Sequence, residues 1–191
     1  LWPLRQQRRW PRGDAAVGVM TTATSRSGPD WRWLLASLAV VVLDQASKAV
    51  VVSRFELFDR LPVLPFFDLV RLHNTGAAFS MLADAGGWQN WFFTAVAVGV
   101  SATLLWWFRQ VPRGRVLVPL ALALVIGGAI GNLIDRLLYG YVVDFVLLYW
   151  RDWSYPAFNV ADSAITLGVA GLLYDGLVLE RRRAVSASSG R

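Results

Sequence analysis

The residues of this 191-residue chain that invite chemistry are carboxylates set in or beside apolar runs. They are Asp44 in VVLDQASK, Asp135 in GGAIGNLIDR, Asp144 in YVVDFV and Asp162 in FNVADS. Lys48, Asn74, Asn132, Arg136 and Asn159 stand near them in sequence or in the same kind of apolar setting. Two carboxyl groups brought close together cannot both ionise easily, so one keeps a proton and the pair serves as base and acid toward a water molecule. The base draws a proton from water as it attacks a peptide carbonyl, and the protonated partner donates to the carbonyl oxygen and later to the leaving amine. That is aspartic-protease chemistry, and it requires no metal, serine or cysteine. The chain has no cysteine and a single histidine, His73. Disulfides, a thiol nucleophile and a thiolate metal site are therefore excluded, and neither metal nor cofactor is expected.

Two other chemistries compete for the same residues. Ser47 and Lys48 suggest a serine–lysine protease, but adjacent residues on a helix point to different faces and cannot form a nucleophile–base pair. No G-x-S-x-G or H-E-x-x-H string supports another hydrolase. A small proton-coupled transporter could use Asp44, yet the four helices show no evident inverted repeat and most polar residues gather at one surface instead of the midplane.

The elements that must carry these residues are membrane helices. The chain is 55% hydrophobic, with mean hydropathy +0.44, and its apolar residues are gathered into long runs. A bilayer core about 30 Å thick needs roughly 20 apolar residues per helix. Residues 33–52, 91–108, 116–134 and 160–179 approach that length. The expected fold class is an all-α membrane protein, with one four-helix domain at 31–180. A disordered basic tail at 1–30 and a basic tail at 181–191 flank it. The first span resembles a signal peptide but is too long, carries charges and lacks a small-residue cleavage site, so it reads as an uncleaved helix. Met20 is an alternative start, because everything needed for insertion follows it.

A net charge of +6 invites the thought of nucleic acid, but the arginines fall in three clusters. Six precede the first span, Arg109, Arg113 and Arg115 lie between the second and third, and Arg181, Arg182 and Arg183 follow the fourth. Such alternation places both termini in the cytoplasm and speaks against a nucleic-acid partner.

With that topology the polar residues converge on the outer face. Asp44 lies about eleven residues, at 1.5 Å each, along an outward-running first helix. The third helix ends there in Asn132, Asp135 and Arg136, and the fourth opens there with Asn159 and Asp162. Intramembrane carboxylates and amides are costly enough to need named partners. Asp44 and Lys48, four apart, form an expected ion pair that positions the first helix, and Lys48 is the only lysine in the chain. Gly127 and Gly131 form a small-xxx-small pair that admits another helix. Asn132 and Asp135 share a face, as a structural network or a substrate clamp. Asn159 or Asp162 could cap the fourth helix. Asp144, 18 residues before Asp162, lies in an expected outer loop that can fold back to that helix end. Topology alone leaves Asp44, Asp135, Asp144 and Asp162 as candidates for a dyad.

DQASK (44–48), NTGAAFS (74–80), GGAIGNLIDR (127–136), VVDF (142–145) and FNVADS (158–163) together resemble lipoprotein signal peptidase, the signal peptidase II family. The resemblance runs in order over about 33–179. It implies an inner-membrane aspartyl protease that removes the signal peptide of diacylated prolipoproteins just before the lipidated cysteine. It selects Asp144 and Asp162 as catalytic, with Asn74, Asn132, Asp135, Arg136 and Asn159 lining or bracing the substrate site. Asp44 and Lys48 would support the structure beside it. It also implies a small β-rich extracytoplasmic platform and gating element over about 55–87, which FDRLPVLPFFDLVRL fits through its alternation and prolines. The expected partners are diacylated prolipoproteins and membrane lipids, and the chain is expected to act as a monomer. Trp88, Trp91, Phe92, Phe93, Tyr149, Trp150 and Trp153 read as an interfacial belt. Asp175 matches no motif and is expected to pair toward the cytoplasmic arginines. His73 is expected to hydrogen-bond at the interface, and Asp68 and Asp84 to be solvated loop charges.

Overall fold

The computed structural model describes residues 28–76, 88–179 and 181. The tail segments 1–27 and 182–191, Asp84, and the part of the expected platform at 77–87 lie outside the described residues. Among the described residues, four helices are long and apolar enough to cross a membrane. They are α1 (Leu34–Arg54), entered through a 3-10 turn at Trp31–Trp33, α2 (Trp88–Phe108), α3 (Leu117–Tyr139), and α4 (Val160–Tyr174), which continues as a π-helical turn at Asp175–Leu179.

α3 is the central helix, with 67% of its most apolar window buried against 28%, 11% and 17% for α1, α2 and α4. The other three pack around it, α4 most extensively. Between helices in lipid the hydrophobic effect supplies little, so small residues and internal hydrogen bonds must hold the bundle. The glycine pair of GGAIG does this. A Cβ on Gly127 would sit 2.7 Å from the Ser37 carbonyl of α1, and one on Gly131 would sit 2.6 Å from Oδ2 of Asp44. Ser37 completes the α1–α3 contact by donating its hydroxyl to the Ala123 carbonyl at 2.7 Å. At the opposite end of the bundle Phe108, Val111, Val118 and Leu122 form an apolar cluster against Trp33, Leu34, Leu104 and Leu172. Asp175, 5% exposed, meets Arg115 of the α2–α3 turn at 3.4 Å, as the sequence led us to expect.

α3 runs five residues beyond the apolar stretch that ends at 134. Hydropathy falls at Asp135 and Arg136, but the backbone stays helical until Gly140, whose φ of 79° closes the helix.

The outer connections form a four-stranded antiparallel sheet in the order β1 (Arg60–Leu64), β2 (Phe67–Asn74), β3 (Val142–Trp150), β4 (Trp153–Ser154). β1 and β2 are the strands expected of the platform. β1 is exposed along its length and carries Pro62, as suits an edge. β3 corrects the expected loop around Asp144. Its first four residues are buried in succession, so it lacks the period-2 alternation of a half-exposed strand, and its partner β2 lies some 70 residues away in the chain. The register pairs Leu72 with Asp144 and Asn74 with Val142.

Two further expectations fail on this sheet. Asp68 is fully buried and paired with Arg60, whose guanidinium also lies 5.1 Å from the Tyr149 ring centroid. The pleat of β2 turns Asp68 and Val70 toward the covered face, which composition does not reveal. His73 stacks on Tyr141 with centroids 3.7 Å apart, and its Nε2 has no hydrogen-bond partner. Burial, with the charge of Arg71 second, lowers its pKa, so the ring acts as a neutral aromatic.

Candidate active site

α4 begins with a reciprocal cap. The Asn159 side chain accepts from the Asp162 amide at 2.9 Å, and Asp162 Oδ2 accepts from the Asn159 amide at 3.2 Å. Unsatisfied N–H groups at a helix start favour such acceptors. The other oxygen, Asp162 Oδ1, accepts from Asn132 Nδ2 of α3 at 2.7 Å. The cap and the site therefore use different atoms of one half-buried carboxylate.

Asp144 enters from β3 and is 3% exposed. Its Oδ1 accepts from Asn159 Nδ2 at 2.8 Å and its Oδ2 from Asn74 Nδ2 at 2.9 Å. Asn74 is held in turn by the Gly76 amide, which donates to its Oδ1 at 2.8 Å. Asn159, fully buried, thus bonds both aspartates. Burial, followed by the negative charge of Asp162, pushes the Asp144 carboxyl up to about 7. These effects outweigh the amides of Asn74 and Asn159 and the positive charge of Lys48. A carboxyl with such a pKa can hold or release a proton near neutrality.

Behind this pair lies a second one. Asp44 and Asp135 are at most 1% exposed, and Lys48 bridges them at 2.8 and 2.9 Å. The third ammonium proton goes to Asn132 Oδ1 at 3.0 Å, so all three donors are used. Each carboxylate also holds a backbone amide: Asp44 Oδ1 takes Ala161 N–H at 2.9 Å, and Asp135 Oδ2 takes Val143 N–H at 3.0 Å. Those amides belong to the residues immediately before Asp162 and Asp144. One lysine therefore fixes, through two carboxylates, the backbone that carries both members of the outer pair.

The family model for signal peptidase (SPase) II matches residues 36–178. The chain is 51% identical over 144 residues to a lipoprotein signal peptidase of Alteromonas mediterranea, an alignment covering 75% of this chain and 79% of that protein. It is 52% identical over 158 residues to one from Shewanella woodyi, covering 83% and 89%. The chain belongs to the signal peptidase II family. This peptidase also superposes on a solved bacterial membrane enzyme with TM-score 0.69 at 30% identity, over 77% of this chain and 93% of the other. It is accordingly a protease and a multi-pass membrane protein.

Within the peptidase, all nine residues singled out from sequence fall into one neighbourhood. Asp144, Asp162, Asn74, Asn132, Asn159, Asp44, Lys48 and Asp135 are joined directly through the hydrogen bonds above. Arg136 stands beside them: its Nη1 donates to the Asn132 carbonyl at 3.3 Å, and its guanidinium carbon lies 5.8 Å from the Phe93 ring centroid. Ser47 donates instead to the Asp44 carbonyl at 2.8 Å, which removes it from any pairing with Lys48.

Sequence reasoning missed three contributors. Gln45 Nε2 reaches Asp135 Oδ1 at 2.9 Å and the Gly131 carbonyl at 3.1 Å. An amide beside an intramembrane carboxylate was the available signal. The amides of Val143 and Ala161 carry no side-chain signature at all. The third is an apolar groove of about 390 Å³ lined by Leu148, Tyr155, Phe158, Asp162, Ser163, Thr166 and Leu167. Asp162 is the sole carboxylate on its wall, and the other lining residues come from β3, the connection after it and the first turns of α4, where no single run of sequence marks a groove.

Proposed function

We propose that Asp144 and Asp162 are the catalytic dyad of an aspartic endopeptidase that removes the signal peptide from diacylglyceryl-modified prolipoproteins, immediately before the lipidated cysteine. The observation that carries this reading is Asn159, whose side-chain amide donates to the Asp144 carboxylate and whose backbone amide donates to the Asp162 carboxylate, beside an Asp144 carboxyl raised to about 7. The pair shares one proton. The ionised carboxyl takes a proton from water as the water attacks the scissile carbonyl, and the protonated one donates to the carbonyl oxygen. On collapse the proton passes to the leaving amine, and the pair returns to its starting state.

The site lies at the ends of the spans, so acyl chains remain in the bilayer while the peptide bond reaches the carboxylates and water. The apolar groove beside Asp162 accepts the apolar part of the substrate, and the exposed Trp88, Trp91, Trp150 and Trp153 mark the interface. The arginine clusters orient both termini to the cytoplasm and the dyad to the outer face of the cytoplasmic membrane.

The test uses purified protein in detergent with a diacylated prolipoprotein. Asp144→Asn and Asp162→Asn each abolish cleavage while melting near the wild-type temperature. Full cleavage by either variant would remove that residue from the dyad.

A further inference from the structure

At the end of the bundle remote from the dyad, Asp30 caps the Trp31–Trp33 turn, accepting from the Arg32 amide at 3.3 Å. The Trp31 ring rests on Phe108, the last residue of α2, with centroids 5.6 Å apart. That contact holds the start of α1 beside the α2–α3 turn. Between them lies a cavity of about 610 Å³ lined by Asp30, Trp31, Arg32 and Arg113.

The lining sets two guanidinium groups against one carboxylate. Arg32 meets Asp30 through Nε at 3.1 Å and Nη2 at 3.4 Å, but the Arg32 side chain is 87% exposed. A pair so exposed contributes little, and its cation stays available to another anion. Arg113 forms no ion pair among the described residues, and it acts on Asp30 only through space. Arg109, also exposed, adds positive charge to the same turn, whereas Arg115 is engaged by Asp175.

The depth of the cleft matters as much as its charge. It sits where three spans end, at the level of lipid headgroups. Trp31 on its wall is exposed, and Trp106, Trp107 and Val116 expose apolar surface at the same end of α2 and α3. Guanidinium forks match phosphate oxygens, and aromatic side chains favour the interface just below them. A basic pocket between spans is a known way to hold an acidic headgroup.

We infer that this cleft binds the phosphodiester of an anionic phospholipid, with Arg32 and Arg113 on the phosphate oxygens and the tryptophans against the glycerol and upper acyl chains. This site is separate from the dyad and does not depend on the proposed reaction.

Native mass spectrometry of the full chain in detergent tests it, with phosphatidylglycerol, phosphatidylcholine, phosphatidylethanolamine or inorganic phosphate added. Wild type retains phosphatidylglycerol in preference to the other two lipids, and millimolar phosphate does not displace it. Arg32→Gln/Arg113→Gln weakens retention about 25-fold, at roughly one factor of five per arginine. Arg151→Gln/Arg181→Gln, which removes equal charge elsewhere, retains the lipid as wild type does. Should the double variant at the cleft lose its fold, Arg113→Gln alone breaks no ion pair among the described residues and weakens retention about fivefold. Equal retention of all three lipids, displacement by phosphate, or equal loss in the Arg151/Arg181 variant would overturn the assignment.

Discussion

Lys48→Met removes the ammonium that bridges Asp44 and Asp135 and donates to Asn132. Methionine fills the same volume, so the loss is one of charge and hydrogen bonds. Two carboxylates at most 1% exposed then lack their cation. Breaking a buried pair by deleting one partner costs about 3–5 kcal/mol, which for a chain of this length lowers the melting temperature by about 10 °C. The kinetic effect follows from the amides of Ala161 and Val143, which those carboxylates hold. Looser anchoring of the residues before Asp162 and Asp144 displaces both, and a misplacement of about 1 Å costs on the order of 100-fold in rate. The charge of Lys48 also opposes the burial and the Asp162 repulsion that raise the Asp144 pKa, so its removal lets that pKa rise above about 7. A fluorogenic diacylated prolipoprotein peptide, assayed across pH with melting recorded in parallel, reads all three effects. Lys48→Arg separates them: it keeps the charge and hence the pH profile, but its planar fork does not fit the three acceptors, so the rate still falls. An unchanged melting temperature in Lys48→Met, or an alkaline limb that moves to lower pH, would refute the reasoning.

In the wild type, kcat/KM falls as pH rises through about 7, where Asp144 gives up its proton, and a pH–rate profile on the same peptide locates the limb. The linked stability has the same sign. A carboxyl whose folded pKa lies above its ordinary value of 3.8 contributes stability below about pH 4, loses it as pH climbs to about 7, and adds no further change above, which melting scans across pH detect. Asn159→Ala removes the α4 cap, costing about 0.5–2 kcal/mol, and frees Asp144 Oδ1, so the protein melts earlier and the alkaline limb moves up. Gly131→Ala places a methyl 2.6 Å from Asp44 Oδ2, and overpacking of about 1–3 kcal/mol should lower both melting temperature and cleavage rate. Gln45→Leu takes one charge-assisted bond, about 1.5–3 kcal/mol, from Asp135 and lowers kcat more than it raises KM.

The parts of this fold that could be read from sequence are those where a side chain's chemistry conflicts with its setting. Asp44 and Lys48 in an apolar run had to pair, and they do, at 2.8 Å. Asp175 had to find an arginine, and it did. The GGAIG glycines had to admit neighbouring helices, and α1 passes over Gly127 and Gly131 while α4 passes over Gly128. What escaped depends on partners distant in the chain. β3 gave no alternation because it is covered on both faces, and Asp68 looked solvated because the pleat that buries it forms only when β2 pairs with its neighbours. His73 looked like a hydrogen-bonding residue because nothing local announces the Tyr141 ring. The choice of Asp144 and Asp162 over Asp44 and Asp135 needed the motif match, since all four are buried or half-buried carboxylates at the same end of the bundle.

The two pairs differ in what surrounds them. Asp44 and Asp135 have a cation between them, and every other strong contact they make is to an N–H group, including two from the backbone. Every oxygen of this pair thus accepts from at least one donor. Asp144 and Asp162 are bonded by neutral amides, and no cation lies within ion-pairing distance of either among the described residues. Among the described residues, the four carboxyls face Lys48 and Arg136 as nearby positive charge, and Lys48 is committed to the inner pair. A second ionisation in the outer pair would therefore add an uncompensated charge to a site already short of cations. The lysine thus gives four similar residues two settings: it ties the inner pair to the backbone before Asp144 and Asp162, and it leaves to the outer pair the neutral amides that support the proposed dyad.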